Sequence, residues 1–193
     1  MDERHLSCIP KDDIWLYNTG HARKAWLCYG CRPVPELGEY RFLVWAPNAR
    51  AVSLTGDFNA WGDQPMERME GGIWVAFRAD VSVGQHYKYR VTGADGQTVL
   101  KSDPFAAWSE NRSETASIVW DGGHFTWRDG KYMEARRRKN FLTEPMSIYE
   151  LHLGSWRAPA YGITYRTVAD ELAEYCTSMG FTHVEIMPVK EYP

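Results

Sequence analysis

Residues 40–91 read YRFLVWAPNARAVSLTGDFNAWGDQPMERMEGGIWVAFRADVSVGQHYKYRV, from Tyr40 to Val91. Short runs in which bulky residues alternate with others are separated by Pro47-Asn48, Gly56-Asp57, Gly71-Gly72 and Val83-Gly84. Between 73 and 78, Ile73, Val75 and Phe77 form one face, with Trp74, Ala76 and Arg78 on the other. Tyr87, Tyr89 and Val91 likewise alternate with His86, Lys88 and Arg90. Before the Pro47 turn, Phe42 and Val44 alternate with Leu43 and Trp45, so both faces carry bulk. Successive strand residues point to opposite faces, so a period of two broken by turn formers predicts antiparallel strands. Strands this short and this closely spaced predict a mainly β chain built on a small, immunoglobulin-like β-sandwich.

Working outward, the same reading places strands at 40–46, 51–55, 73–78, 85–92, 98–101 and 115–119. Asp95-Gly96 is a strong two-residue hairpin signal between two of them. Pro104 has no N–H for a central ladder, so it closes the strand ending at Lys101. Upstream, residues 1–14 are polar and expected to fray, and 14–17 (IWLY) form a short apolar cluster. Residues 21–29 carry Ala22, Ala25 and Trp26 on one helical side, with a stop at Gly30. Pro33 and Pro35 predict an extended link. This divides the chain into a lead-in (1–37), the sandwich (38–120) and a connector (121–146).

The pattern changes at Ser147. Residues 147–153 (SIYELHL) form a short apolar strand, Thr164 is a helix N-cap, and Val168, Leu172, Cys176 and Met179 mark one helical face. Gly180 stops that helix, and 181–187 (FTHVEIM) form a second strand closed by Pro188. Strand, helix, strand is a βαβ unit, which belongs to a parallel sheet. Two strands do not complete such a sheet, so residues 147–193 are expected to open a domain whose remainder lies outside this chain. Apolar strands without neighbours expose pairing edges, and self-association through the part beyond about residue 145 is expected.

A chain of 193 residues holds one large domain or two small ones. The net charge of −3, with mixed signs, implies no nucleic-acid partner. The run Arg136-Arg137-Arg138-Lys139 reads as a solvated face. Nothing approaches the ~18 apolar residues of a membrane span, and there is no apolar signal core, so a cytoplasmic location is the default expectation. Cys28 and Cys31 have half the spacing of a zinc knuckle but no second pair follows, so neither metal nor cofactor is implied. Nine Trp and eleven Tyr are unusual, and such rings either fill a core or stack on a ligand.

Several of these stretches resemble the front of the 1,4-alpha-glucan branching enzymes of the α-amylase superfamily. Residues 42–50 (FLVWAPNAR) with 56–61 (GDFNAW) resemble the start of that family's carbohydrate-binding sandwich, shared with debranching enzymes and with the glycogen-binding subunit of a metabolic kinase. Residues 87–89 (YKY), 101–105 (KSDPF) and 112–117 (RSETAS) continue the match. Residues 147–156 (SIYELHLGSW) and 180–188 (GFTHVEIMP) resemble the opening strands of the family's catalytic (β/α)8 barrel. The resemblance implies an enzyme that cleaves α-1,4-glucan chains and transfers them to form α-1,6 branches. It also implies that the catalytic carboxylates come from later barrel strands, so no catalytic residue is expected in 1–193 and the chain alone should be inactive.

The resemblance further implies α-glucan as partner and marks candidate contacts. Trp61, at a loop edge after 56–59, matches a sugar-stacking tryptophan of the kinase subunit; otherwise it caps the sandwich. Lys88 matches a lysine that hydrogen-bonds sugar hydroxyls and is otherwise an ordinary surface lysine. Trp74 is either a glucan contact or packing, and Asn59 and Asn111 could reach hydroxyls. The kinase subunit's second tryptophan has no match, since 96–99 (GQTV) occupies that hairpin. On the barrel side, Trp156 lies past the C-terminal end of the first strand, as wall or glucan platform, whereas His152 and Glu185 read as structural. Two other classes remain: a freestanding glycogen-binding regulatory module, which has no use for the βαβ unit, and the front of a debranching or trehalose-forming hydrolase.

Overall fold

The computed structural model describes residues 2–111, 113–157 and 164–189. The chain forms two compact units, Met1–Phe125 and Thr126–Pro193. The first contains helices α1 (Glu3–Ser7) and α2 (Lys11–Asn18), then strands β1 (Gly30–Val34), β2 (Glu39–Trp45), β3 (Ala51–Gly56), β4 (Gln64–Pro65), β5 (Glu67–Met69), β6 (Ile73–Arg78), β7 (His86–Thr92), β8 (Thr98–Lys101), β9 (Trp108–Ser109) and β10 (Ser117–Ile118). The second contains α3 (Gly130–Arg138), β11 (Ile148–Leu151), α4 (Tyr165–Met179) and β12 (His183–Ile186).

The strands of the first unit form two antiparallel sheets, ordered β1-β2-β6-β5 and β4-β3-β7-β10-β9, with β8 also on β7. Their facing sides close over Phe42, Val44, Val52, Leu54, Trp74 and Tyr87, with Tyr89 and Val119 beside them. The Asp95-Gly96 hairpin joins β7 to β8 as expected, with Gly96 at φ 83° and the Gln97 N–H donating to Asp95 Oδ1. The β2–β3 and β5–β6 turns meet where Gly72 sits at φ 77°, and a Cβ there would lie 2.5 Å from Pro47 Cα. Only glycine fits that approach.

Both faces of the first sheet are buried. On its outer side Leu43 and Ile73 pack with Cys28 and Tyr29, covered by Ile14 and Tyr17 of α2. The expectation that residues 1–14 fray is therefore corrected for the described part: residues 3–14 include α1 and the start of α2, and Ile9 between them is buried. Arg41 fastens this cover. Although buried, it forms no ion pair with a carboxylate among the described residues; its two terminal nitrogens donate to the carbonyls of Cys8 at 2.6 Å and Cys28 at 2.9 Å. The helix expected at 21–29 shrinks to a single 3-10 turn, Ala25–Leu27, because Cys28 and Tyr29 enter the core. The extended link at Pro33 is itself strand β1, paired with β2 from Gly30↔Leu43 to Val34↔Glu39. Cys28 and Cys31 are free thiols in separate apolar clusters on either side of this sheet.

In the second unit β11 and β12 are parallel, in register from Ile148↔His183 to Leu151↔Ile186. Thr164 Oγ1 accepts from the Thr167 N–H and caps α4, which Gly180 ends at φ 78°. Val168, Leu172 and Cys176 of α4 bury Leu151, with Tyr149, Leu153 and Trp156 partly buried against them. Met179, expected on that face, is exposed at the last turn. This is a strand–helix–strand unit, the partial start of a barrel. Arg112, which opens one of the family-like stretches, and residues 158–163 and 190–193 lie outside the described residues.

Candidate functional site

The outer face of the second sheet gathers most of the singled-out residues. Strand β3 ends at Gly56, where a Cβ would approach the His86 carbonyl of neighbouring β7 to 2.5 Å. The chain then makes a 3-10 turn over Asp57–Asn59, and Ala60 and Trp61 follow in left-handed conformation at φ 51° and 60°. Two consecutive non-glycine residues in that region are costly unless the surroundings hold them. Here the Trp61 N–H donates to the Gly56 carbonyl at 2.9 Å, while Phe58 turns inward against the core. Arg78, from the first sheet, braces the turn with a bond to the Phe58 carbonyl at 3.2 Å and its guanidinium 5.0 Å from the Phe58 ring.

Asn59 is the internal staple of this turn. Its Oδ1 accepts from the Gly56 N–H, and its Nδ2 donates to the carbonyls of Leu54 at 3.2 Å and Gly62 at 2.8 Å. Both amide donors are thus committed within the loop, which closes to Asn59 the hydroxyl-donor role considered above. Trp74 is corrected in the same way. Its ring lies in the sandwich interior, 5% exposed, with Nε1 donating to the Ala46 carbonyl.

Trp61 and Lys88 do reach the surface. Trp61 is 40% exposed, and its Nε1 donates to Asp57 Oδ1 at 2.9 Å. Lys88 Nζ donates to Thr115 Oγ1 at 2.8 Å, leaving its two other donors toward solvent. Between them lies a polar array that the sequence did not single out. Asp57 Oδ2 accepts from the His86 backbone N–H at 2.7 Å and lies 3.0 Å from His86 Nδ1. His86 Nε2 lies 3.4 Å from Glu110 Oε1, and Glu110 Oε2 accepts from the Ala116 N–H. Strand alternation puts His86 on the face of Lys88, about 7 Å along β7. Desolvation, the largest single influence on the Asp57 carboxyl, pushes its pKa up, but the bonds from His86 and Trp61 together hold it below the usual carboxylate range. Asp57 is therefore a charged acceptor at neutral pH. Asn111 is exposed beside Glu110.

In the second unit, Trp156 donates from Nε1 to the Tyr149 hydroxyl at 2.9 Å and sits edge-on to Tyr175, in the small core of that unit. Glu150, His152 and Glu185 are exposed. No group of three or more potential metal ligands occurs among the described residues, and no described helix is long and apolar enough to cross a membrane.

Carbohydrate-binding module 48, the isoamylase N-terminal domain family, matches residues 28–106. Over 192 residues the chain is 44% identical to the 1,4-alpha-glucan branching enzyme GlgB of Nitratidesulfovibrio vulgaris (strain DP4), an alignment that covers 94% of this chain and 30% of that protein. The GlgB of Deinococcus radiodurans is 48% identical over 200 residues, covering 100% of this chain and 27% of its own length. PulA of Klebsiella pneumoniae shares the fold, with a TM-score of 0.61 at 23% identity, over 86% of this chain and 18% of that one. The chain thus spans less than a third of the length of these relatives. Its sandwich matches the N-terminal carbohydrate-binding module 48 and shares the fold of the front of amylase-type and pullulanase structures. Over nearly its whole length the chain is similar to the N-terminal part of GlgB-like 1,4-alpha-glucan branching enzymes.

Proposed function

We propose that the sandwich binds α-glucan on the outer face of its second sheet, through Trp61 and Lys88, and serves a branching enzyme that forms α-1,6 linkages. The observation that carries this reading is a partly exposed indole whose N–H is committed to Asp57, joined through Asp57 and His86 to the strand face on which Lys88 lies. An indole face stacks on the C–H face of a pyranose, and an ammonium donates to its hydroxyls. In the whole enzyme, an α-1,4-glucan would be cleaved by a retaining route through a covalent glycosyl-enzyme. A glucan 6-hydroxyl would then accept the chain in place of water. The catalytic carboxylates would come from barrel strands after β12, so the 193-residue chain binds glucan without turning it over. On this reading residues 1–37 are the lead-in, 38–120 the glucan domain, 121–146 a connector and 147–193 the barrel's opening, whose partner is the rest of the barrel. The setting is the cytoplasm.

Affinity electrophoresis in glycogen or amylopectin gels tests the binding. The unaltered chain should be retarded, and Trp61→Ala and Lys88→Ala should each restore mobility. Unretarded migration of a folded, unaltered chain would leave the sandwich as a brace for the barrel.

A further inference from the structure

Trp61 is unusual in how it is held. Its backbone lies in the left-handed region, and its side chain is tied back onto the turn that displays it. An indole has one N–H donor, and that donor is spent on Asp57 Oδ1 at 2.9 Å. What the ring offers outward is therefore its face rather than a hydrogen bond. Asp57 is fixed in turn on its other oxygen by the His86 backbone N–H at 2.7 Å, across 29 residues of sequence. The same oxygen lies 3.0 Å from His86 Nδ1, while Glu110, anchored by the Ala116 N–H, flanks His86 Nε2 at 3.4 Å.

We propose that Asp57 is a positioning residue for the Trp61 platform, held in place by His86 and Glu110, so that the indole is oriented before sugar arrives. This rests on the reading of Trp61 as a glucan contact. A ring that must be immobilised on binding loses affinity to the entropy of ordering it, and a ring already pinned does not. Asp57 and His86 touch no sugar in this arrangement. They act through the ring, and two further features fit that role. Phe58 and Asn59, the residues between Asp57 and Trp61's left-handed corner, are directed inward or spent on the loop, so among the described residues Asp57 is what ties the indole N–H. Lys88 is tied separately, to Thr115, so its donors should be unaffected by loss of Asp57.

The test is calorimetric titration of the chain with maltoheptaose for Trp61→Ala, Asp57→Ala, Asp57→Asn and the Trp61→Ala/Asp57→Ala double variant, with hydrogen exchange at the Trp61 indole N–H read by NMR. Asp57→Ala should weaken binding about 2- to 10-fold and speed indole exchange while leaving strand amides protected. Asp57→Asn keeps one acceptor for two donors and should fall between. In the Trp61→Ala background, Asp57→Ala should cost nothing further, since residues acting through one another are not additive. Unchanged affinity and exchange in Asp57→Ala overturn the positioning role while leaving Trp61 as the contact. An equal loss in the Trp61→Ala background overturns it too, since Asp57 would then act by another route. Full affinity in Trp61→Ala itself would remove the platform reading and this role with it. If Asp57→Ala fails to fold, Asp57→Asn and the indole exchange rate decide.

Discussion

The Tyr87 hydroxyl donates to Asp103 Oδ2 across 2.7 Å in the closed interior of the sandwich. Tyr89 donates to the same oxygen at 3.1 Å, and the Phe105 N–H donates to Oδ1. Three donors converge on one buried carboxyl that has no ion-pair partner in contact among the described residues. Its pKa is raised, because burial outweighs the hydrogen bonds from Tyr87, Phe105 and Tyr89 that pull it down. Asp103→Ala strands two tyrosine hydroxyls in the core and should destabilise the first unit by about 2–5 kcal/mol, measured by urea unfolding.

The same group sets a pH dependence. An unfolded aspartate titrates near pH 3.9, below the folded value, so the unfolded state loses its proton first as pH rises. Asp103's contribution to stability is therefore full below about pH 3.9 and declines up to its folded pKa. The decline should be absent from the Asp103→Asn curve, and so appear in its difference from the unaltered chain, when urea midpoints are followed from about pH 4 to pH 7. A parallel pair of curves would refute it.

Arg41 should prove to be the fastener of the lead-in. Arg41→Leu removes both carbonyl bonds and should lower stability by about 1–3 kcal/mol. Amide exchange in α1 and around Cys28 should accelerate more than in β7. Uniform acceleration throughout the first unit would argue against a local role.

Gly72→Ala adds a methyl to a left-handed residue facing Pro47 Cα at 2.5 Å. The expected cost exceeds about 1 kcal/mol, read as a lowered thermal midpoint. Gly20→Ala, also at positive φ but in open space, should cost less.

The two-stranded β11–β12 sheet leaves Ile148, Val184 and Ile186 exposed. Apolar edges of this kind pair with other chains. Sedimentation velocity should find concentration-dependent self-association of residues 1–193 that is lost on deleting 146–193. A monomer at all concentrations would contradict this.

Much of the sandwich was legible because its signal is local. Strands β6 and β8 fall on the residues at which alternation placed them. Strand β1 was hidden by Pro33, which an edge strand tolerates and a central one does not. Strands β4 and β5, of two and three residues, are too short to alternate. Helix α2 did carry a signal in Pro10 before it and Asp12 and Asp13 in its first turn, which suit the positive end of a helix. Trp74 misled because alternation separates two faces without saying which is interior, and both sides of β6 are covered. That Trp61 and Lys88 face outward was legible because the loop edge and the strand phase are local. The tie from Asp57 to His86 spans 29 residues, and no local pattern announces it.

The cover that α2 lays over the first sheet has a consequence for how substitutions will be tolerated. A comprehensive variant library should be lopsided. Ser53 and Arg90, on the outer side of the second sheet, should accept most polar replacements, whereas Leu43 and Ile73, on the outer side of the first, should accept few. Dyes, affinity handles or immobilisation chemistry therefore belong on the β8 hairpin, whose four residues are all exposed, and not on the side where the lead-in has turned a sheet surface into a second interior.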